Sequence, residues 1–360
     1  MTTQNGTVLA GGVLIVGTGL LGTSLGLALR RAEVDVRLRD VDPQALGEAV
    51  RLGAGRPDDG AEAAIAVVAV PPEATATEVV RLLAEGAAEY VTDVASVKAV
   101  PVRQVRARAA DPGRYVGGHP MAGREVSGPG GALADLFEGR PWVLCPDEAT
   151  DPHAVTRALA VARLAGAIPV TMPAAEHDVA VALVSHAPHV VAALVAGRLA
   201  GAPPHEVRLA GQGVADVTRV AAGDPGLWTE ILTANAEAVA DILRALRADL
   251  DRVLAALDAG GDSRAELRAV LAGGVDGRSR LPGKHGTAHV EYATVAVVVD
   301  DRPGQLAALF ADAGAAGVNV EDVRIEHSPG QPVGLVEMDV RPGMAAVLAK
   351  ELATRGWHVR

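Results

Sequence analysis

Cysteine, aromatic residues and basic clusters are all scarce in this chain of 360 residues. Cys145 is the single cysteine, so no disulfide can form within the chain, which suits a reducing compartment. Acidic residues outnumber basic ones by 44 to 33, and no Lys/Arg run is long enough to follow a phosphate backbone. We therefore expect no nucleic-acid partner.

Targeting and membrane segments are also missing from the sequence. Residues 1–7 are polar and carry no basic region of the kind that opens a signal peptide. Glycine, aspartate and arginine interrupt every long apolar run before it reaches the length of a membrane span. We expect a cytoplasmic protein that makes no membrane contact.

The first half of the chain alternates short apolar runs with helical stretches. This alternation is typical of a parallel sheet with crossover helices, and it predicts an α/β domain over residues 1–172. The predicted strands are 13–16, 34–40, 65–70, 90–93, 115–117, 142–145 and 168–172.

Long helices follow and predict a helical domain over residues 173–274. Apolar residues recur at three- and four-residue spacing in 177–199, 225–259 and 264–271. Residues 179–184 are apolar all round the helix and need cover on several sides, which a homodimer would supply. The next stretch is rich in Gly, Arg and Ser, lacks periodicity, and predicts a linker over 275–290.

A nucleotide-binding pattern opens the α/β domain. Gly17-Thr18-Gly19-Leu20-Leu21-Gly22 has the G-x-G-x-x-G spacing and lies between a predicted strand and a predicted helix. In such a turn Gly17 permits the tight bend, Gly19 lets the backbone approach a pyrophosphate, and Gly22 lets the helix pack on the strand. The amides at the helix N-terminus, including those of Leu20 and Leu21, would face the anion.

The second predicted strand ends at Asp40, about twenty residues on, where the dinucleotide fold places an acidic residue for the adenine ribose. A carboxylate there repels a 2′-phosphate, so we expect NAD rather than NADP. Arg37 and Arg39 would favour a phosphate, but strand alternation directs them to the opposite face. The alternative is that Asp40 only ends the strand.

His119 and Glu125 lie in the segment 118–128, which is rich in turn-forming residues. Pro120 holds His119 extended, and histidine has an ordinary pKa close to the working pH of a cytoplasmic enzyme. His119 is therefore a candidate catalytic base, or alternatively a loop histidine that caps a strand. Ser96 follows the strand that ends at Asp93, at the carboxyl edge where ligands bind, although it could instead cap the next helix.

Two further segments suggest an anionic ligand. His186 and His189 are three residues apart and share a helix face, and Pro188 should bend the helix between them. No acidic or cysteine residue at matching spacing supports a metal site, and one of the two histidines could be a core residue. Arg219 could grip a carboxylate through two parallel hydrogen bonds, with Asp216 orienting it, or the two could form a surface ion pair.

Together these segments, over roughly residues 10 to 270, resemble the prephenate/arogenate dehydrogenases of tyrosine biosynthesis. The resemblance implies a Rossmann-type domain, an all-helical dimerisation domain and NAD-dependent oxidative decarboxylation of prephenate to 4-hydroxyphenylpyruvate. It assigns His119 as the base, Ser96 as a hydrogen-bond partner of His119 and of the reacting hydroxyl, Arg219 as a carboxylate ligand, and Glu125 as a gating residue.

Three alternatives stay open. Arogenate, which carries an amine in place of the side-chain keto group, is the other substrate that the resemblance allows. A β-hydroxyacid dehydrogenase also combines a Rossmann domain with helices, but Gly211 and Gly213 are not followed by the lysine that it would need. A non-catalytic sensor of NAD and an amino acid is the third alternative.

Residues 291–360 carry a β-α-β-β-α-β pattern that resembles an ACT domain, a ferredoxin-like α+β module that binds amino acids. The predicted strands are 292–299, 318–327, 333–340 and 357–360, and the predicted helices are 304–315 and 344–355. The resemblance implies L-tyrosine as an effector bound near Asp301, Gly304, Gln305 and Asn319. The alternative is a dimerisation module without a ligand.

Overall fold

The structure, a computed structural model, describes residues 8–124, 126–259, 263–281, 292–327 and 332–360. The chain divides into two compact units, Met1–Arg247 and Ala248–Arg360, and each is described by itself.

The first unit is built on an eight-stranded sheet in the order β3-β2-β1-β4-β5-β6-β7-β8. Its strands are β1 (Val13–Val16), β2 (Val36–Arg39), β3 (Arg56–Pro57), β4 (Ala63–Val68), β5 (Ala88–Asp93), β6 (Tyr115–Pro120), β7 (Pro141–Cys145) and β8 (Ile168–Thr171). The seven predicted strands are all present within a few residues, and the two-residue strand β3 was not predicted.

Strands β6 and β7 run antiparallel, whereas every other neighbouring pair in this sheet is parallel. The prediction of a wholly parallel sheet is therefore wrong at this point. Residues 121–140 contain no α-helix where the structure describes them, so the chain returns without the crossover that a parallel connection needs.

Five helices cover the two faces of the sheet. Alternate residues of β1 enter different hydrophobic clusters, Val13 and Ile15 on one side and Leu14 and Val16 on the other. The sheet is therefore buried on both faces, as expected for parallel strands between helices. The helices are α1 (Leu20–Arg31), α2 (Pro43–Arg51), α3 (Pro72–Glu85), α4 (Ala99–Arg108) and α5 (Pro152–Leu164).

A helical region follows the sheet. Its α-helices are α6 (Ala174–Val181), α7 (Ala187–Leu199), α8 (Pro204–Val207), α9 (Gln212–Thr218), α10 (Pro225–Ala234) and α11 (Ala236–Asp258), and a π-helical turn, Ala182–His186, joins α6 to α7. The π-helical turn stands just before Pro188, where a bend was expected, because proline cannot donate to the carbonyl of Val184. The single helix predicted over 225–259 is broken at Asn235.

The helix formed by α6, the π-helical turn and α7 is long and apolar enough to cross a membrane by length and composition alone, with a mean hydropathy of 1.9. It also carries four buried polar residues, His177, Asp178, His186 and His189, which pack inside the unit. It also exposes large apolar side chains: Val179, Leu183, Val184 and Leu194 are each 61% exposed. Exposed apolar faces of this kind are typical of interaction sites on protein surfaces.

The second unit contains α12 (Arg264–Ser279), β9 (Ala293–Asp300), α13 (Gln305–Ala315), β10 (Asp322–His327), β11 (Val333–Val340), α14 (Pro342–Thr354) and β12 (His358–Val359). The sheet has the order β10-β11-β9-β12, with every pair antiparallel. Alternate residues of β9 and β11 are buried with leucines of α13 and α14, so the helices cover one face. The predicted β-α-β-β-α-β order is confirmed.

Helix α12 reaches Ser279, so the segment predicted as a linker over 275–290 begins as helix. Its last residues, from 282 onward, lie outside the described ranges.

The buried carboxylate of Asp93 ties β5 to β6. Asp93, at the end of β5, accepts hydrogen bonds from the Tyr115 hydroxyl at 2.9 Å, the Gly118 amide at 3.0 Å and the Ala95 amide at 2.9 Å. The Lys98 ammonium completes its shell, and both side chains are fully buried. Asp93 therefore holds β6 in place directly before His119.

Replacing Asp93 by alanine should destabilise the protein strongly, because the Lys98 ammonium would stay buried without its partner. We expect a loss of about 3 to 5 kcal/mol in the free energy of unfolding, measured by urea denaturation. Asp241→Ala, which breaks an exposed pair with Arg244, is the control and should cost less than about 1 kcal/mol. Equal losses in the two variants would contradict this account of Asp93.

Candidate active site

His119 is the next-to-last residue of β6 and lies opposite Val143 of β7. The strand continues through Pro120, so the backbone of His119 is extended as the following proline demands. The side chain is 9% exposed. His119 is thus part of the sheet edge and does not lie in a loop beyond it.

A line of hydrogen bonds leads from His119 into the helical region. His119 Nδ1 lies 2.8 Å from His177 Nε2, and His177 Nδ1 lies 2.7 Å from Asp178 Oδ1. The two imidazole rings meet edge to face, with centroids 5.0 Å apart. His119 Nε2 has no hydrogen bond within residues 8–124 and 126–259, which leaves this nitrogen available to a ligand.

Asp178 also caps helix α4. Its two carboxylate oxygens accept the backbone amides of Lys98 and Ala99, each at 2.8 Å. The alternative that Ser96 caps this helix is therefore wrong, because the cap comes from α6. Ser96 is half-buried, and among the described residues no hydrogen bond joins it to His119, whose Nδ1 is bonded to His177 instead.

Burial lowers the pKa of His119 well below the usual histidine value, and electrostatic interactions with His177, Lys98 and His186 lower it further. The expectation of an ordinary histidine pKa is therefore wrong. His119 is a neutral imidazole at physiological pH, which is the form that accepts a proton.

The two histidines of the kinked helix differ in their surroundings. His186 is 1% exposed, and its Nδ1 lies 3.1 Å from the Asn235 amide nitrogen, which donates to it. Burial lowers the pKa of His186 to about 4. His189 stacks on Trp228 with ring centroids 3.5 Å apart, and its buried Nδ1 has no hydrogen-bond partner among the described residues. At Nδ1 the two histidines therefore differ.

Arg219 opens a 3₁₀ turn that packs against α7 and is exposed. Gly223 ends this turn so close to the stacked pair that a Cβ there would lie 2.5 Å from Trp228 Nε1 and 3.1 Å from His189 Cε1. The turn that carries Arg219 therefore lies next to His189. Asp216 accepts a hydrogen bond from Gln212 at 2.8 Å. Glu125 lies outside the described residues.

The glycine-rich turn has room for a dinucleotide. A Cβ at Gly17, which has φ +99°, would lie 2.3 Å from the Ala69 carbonyl, and one at Gly22 would lie 1.9 Å from the Gly17 carbonyl. Around Gly19, by contrast, no atom lies within 4 Å of a Cβ position, so a ligand can approach the backbone. No side chain caps α1, and its first turn has no acidic residue, which leaves the amides of Leu20 and Leu21 for an anion.

Asp40 braces this turn. Its Oδ2 accepts hydrogen bonds from the Thr18 amide at 2.5 Å and the Thr18 hydroxyl at 2.6 Å. Burial raises the pKa of Asp40, but the hydrogen bonds from Thr18 and from backbone amides outweigh burial and hold the pKa below its usual value. Asp40 therefore presents a negative charge beside the turn.

The two arginines near Asp40 are engaged elsewhere. Arg37 is buried and bonded to Asp59 and to the Gly11 carbonyl. Arg39 pairs with Asp58 at 2.7 Å and with Glu85 at 3.1 Å. With their charges neutralised by these carboxylates, neither guanidinium is placed to favour a phosphate over the ribose hydroxyls.

Comparison with known proteins decides the family. Residues 25–170 match the nucleotide-binding domain of prephenate dehydrogenase, and residues 173–272 match its dimerization domain. The chain is 41% identical to the probable prephenate dehydrogenase NovF of Streptomyces niveus over 96% of this chain and 98% of that protein. The chain belongs to the prephenate dehydrogenase family.

Solved structures agree with this membership. The prephenate dehydrogenase of A. aeolicus in complex with hydroxyphenyl propionate and NAD⁺ is 28% identical, with a TM-score of 0.63 over 73% of this chain and 97% of that one. The arogenate dehydrogenase of Synechocystis is also 28% identical, with a TM-score of 0.61 over 74% of this chain and 98% of that one. This membership rules out the alternative that the chain is a β-hydroxyacid dehydrogenase.

Sequence reasoning missed several residues of this site. From the sequence alone, His177, Asp178, Asn235 and Trp228 were given no role. An adjacent His-Asp pair at the start of an apolar helix was the available signal, because buried polar residues need partners.

Proposed function

We infer that this protein catalyses the NAD-dependent oxidative decarboxylation of prephenate to 4-hydroxyphenylpyruvate. The observation that carries the inference is a neutral, buried imidazole, His119, with one ring nitrogen bonded and the other available, in a chain 41% identical to a probable prephenate dehydrogenase. The glycine turn and the ionised Asp40 fit NAD⁺, which the A. aeolicus relative binds. The protein is thus an oxidoreductase rather than a sensor.

Bound NAD⁺ supplies the hydride acceptor. The substrate hydroxyl must lose its proton as hydride leaves its carbon, and loss of carbon dioxide then makes the ring aromatic. We assign His119 Nε2 as the acceptor of that proton, a contribution of roughly a hundred- to ten-thousand-fold for general base catalysis. Ser96 would contact the reacting hydroxyl from the loop between β5 and α4.

The carboxylates of the substrate need cationic or donor groups. We assign Arg219 and His189 to this task, because the Arg219 turn packs beside His189 and because His189 Nδ1 has no partner in the described structure. His186 is buried and bonded to Asn235. It would stabilise the packing of the helix rather than contact the substrate. Glu125 is proposed, by resemblance to the family, to order the side-chain end of the substrate.

Arogenate is the second candidate substrate, since the Synechocystis relative is an arogenate dehydrogenase. It differs from prephenate only at the side chain, at the end of the ring opposite the reacting hydroxyl. Comparing kcat/KM for the two substrates by NADH absorbance decides between them.

His119→Asn should keep the fold and NADH affinity but lose at least about a hundredfold in kcat, because asparagine can bond the hydroxyl without accepting its proton. For the wild-type enzyme, the profile of kcat/KM against pH should be flat at pH values above the usual histidine pKa. The reason is that the lowered pKa of His119 moves protonation of the base to more acidic pH. The acid limb of the wild-type enzyme should therefore lie below about pH 6.5. Near-normal kcat with only a raised KM would remove His119 from this role.

Asp40→Ser should weaken the preference for NAD over NADP by about tenfold, equivalent to about 1.4 kcal/mol, since it removes both the ribose acceptor and the repulsion of a 2′-phosphate. Asp42→Ser is the matched control, because serine replaces aspartate well as the cap of helix α2. If both variants keep the wild-type preference for NAD over NADP, another residue recognises the ribose.

Arg219→Gln should raise KM for prephenate roughly ten- to a hundredfold with little change in kcat, because a hydrogen bond to a charged group contributes about 1.5 to 3 kcal/mol. Arg208→Gln, at another exposed arginine of the same region, should leave KM unchanged. Steady-state kinetics at saturating NAD⁺ measures both. An unchanged KM in Arg219→Gln would make Arg219 a surface residue.

We propose that the protein works as a cytoplasmic homodimer. The apolar face of Val179, Leu183, Val184 and Leu194 belongs to the segment that matches the family's dimerization domain, and a second copy would cover it. Sedimentation equilibrium of the purified protein tests the stoichiometry.

We further propose that the C-terminal sheet is an ACT domain that binds L-tyrosine. A cavity of about 320 Å³ in this unit is lined by Gly317, Asn319, Glu321, Arg341 and Met344. Of the predicted regulatory residues, Asn319 lines the cavity, whereas Asp301 and Gly304 lie in the turn before α13, with Gly304 at φ +89°, and Gln305 opens that helix. Regulation requires tyrosine to favour one arrangement of the dimer.

Full-length Arg341→Ala should lose tyrosine inhibition and keep the wild-type kcat and KM, because it removes the cation that would hold the tyrosine carboxylate. Inhibition curves at several prephenate concentrations measure the effect. Inhibition that survives in the variant and competes with prephenate would place tyrosine at the catalytic site instead.

A further inference from the structure

His177 and Asp178 lie behind His119 and are closed off from the substrate. His177 is fully buried and Asp178 is 5% exposed, so neither side chain reaches the reacting atoms. Any effect they have on the reaction must pass through the hydrogen bond between His177 Nε2 and His119 Nδ1.

The hydrogen bonds determine where each proton lies. Both oxygens of Asp178 accept backbone amides, Lys98 N on Oδ1 and Ala99 N on Oδ2, so a proton on either oxygen would face a donor. Asp178 is therefore an acceptor, and His177 Nδ1 must carry the hydrogen of their shared bond. Neutral His177 is then left with a lone pair on Nε2, which accepts a hydrogen from His119 Nδ1.

We propose that Asp178 and His177 are positioning residues that hold His119 in the tautomer with hydrogen on Nδ1 and a lone pair on Nε2. The inference rests on the proposed function of His119 as the base. In this tautomer Nε2 can accept the substrate proton, whereas in the other tautomer Nε2 already carries one.

The reaction balances without a further proton acceptor. The substrate O–H bond breaks and the His119 Nε2–H bond forms, while the hydrogen on Nδ1 stays in its bond to His177. The C–H pair leaves as hydride to NAD⁺, and the C–C pair freed as carbon dioxide departs enters the ring. The proton on Nε2 returns to the phenolate oxygen, so His119 ends the cycle in its starting tautomer.

The arrangement joins two parts of the chain. His119 comes from β6, inside the match to the nucleotide-binding domain, whereas His177 and Asp178 come from α6, inside the match to the dimerization domain. The helical segment thus sets the tautomer of a base that the sheet carries.

The wild-type protein gives the first test. In ¹⁵N-histidine-labelled enzyme at pH 7.5, long-range ¹H–¹⁵N correlation should show the His119 ring with a protonated Nδ1 and an unprotonated Nε2, the ring being assigned from the signals missing in His119→Asn. A protonated Nε2 in the neutral ring would overturn the proposal.

Two substitutions of His177 give the second test. Glutamine can accept from His119 and donate to Asp178, whereas methionine fills a similar volume without a donor or a strong acceptor. We expect His177→Met to lose at least about tenfold in kcat, with KM and NADH affinity unchanged, and His177→Gln to retain more activity than methionine. Equal losses in the two variants, or none, would overturn it. The same two substitutions at exposed His153 are the controls and should leave kcat unchanged.

A double variant separates this inference from the proposed function. If His177 acts through His119, then His119→Asn combined with His177→Met should be no slower than His119→Asn alone. Additive losses would show that His177 acts independently of His119 and would overturn the inference while leaving the base in place. A His119→Asn enzyme with normal kcat would instead remove the base itself.

Discussion

The carboxylate of Asp178 is the group on which the site depends. It accepts hydrogen bonds from two backbone amides at the start of α4 and from His177 Nδ1. One side chain from α6 therefore caps the N-terminus of a helix in the sheet domain and also orients the pair His177 and His119. A buried carboxylate is tolerated only where donors compensate for the lost water, and here three donors do so. The same three bonds hold the helical region against the sheet edge at His119.

The nucleotide turn and the catalytic base rely on different physical effects. At the nucleotide turn, glycines remove side chains so that the backbone and helix amides can meet an anion. At His119, burial and neighbouring positive charge keep the imidazole neutral. Asp93 supports the second of these regions, because it ends β5 and also accepts the Gly118 amide of β6.

Sequence patterns predicted most elements of both units, since strand and helix periodicities depend on near neighbours along the chain. They failed where partners are distant. The direction of β7 depends on the missing crossover after β6, and the break at Asn235 places a side chain that bonds Asp178 and His186 from another helix. Helix α12 continued past the last clear periodicity because glycine and arginine alone do not end a helix.

The sequence by itself determined the nucleotide turn, the extended backbone of His119 and the family resemblance, because each depends on the type and order of adjacent residues. Only the tertiary structure decided that His177 and Asp178 stand behind His119, that His186 Nδ1 is bonded while His189 Nδ1 has no partner among the described residues, and that the pKa of His119 is lowered. These properties depend on burial and on hydrogen-bond partners 49 and 58 residues apart in the sequence, and local sequence carries neither.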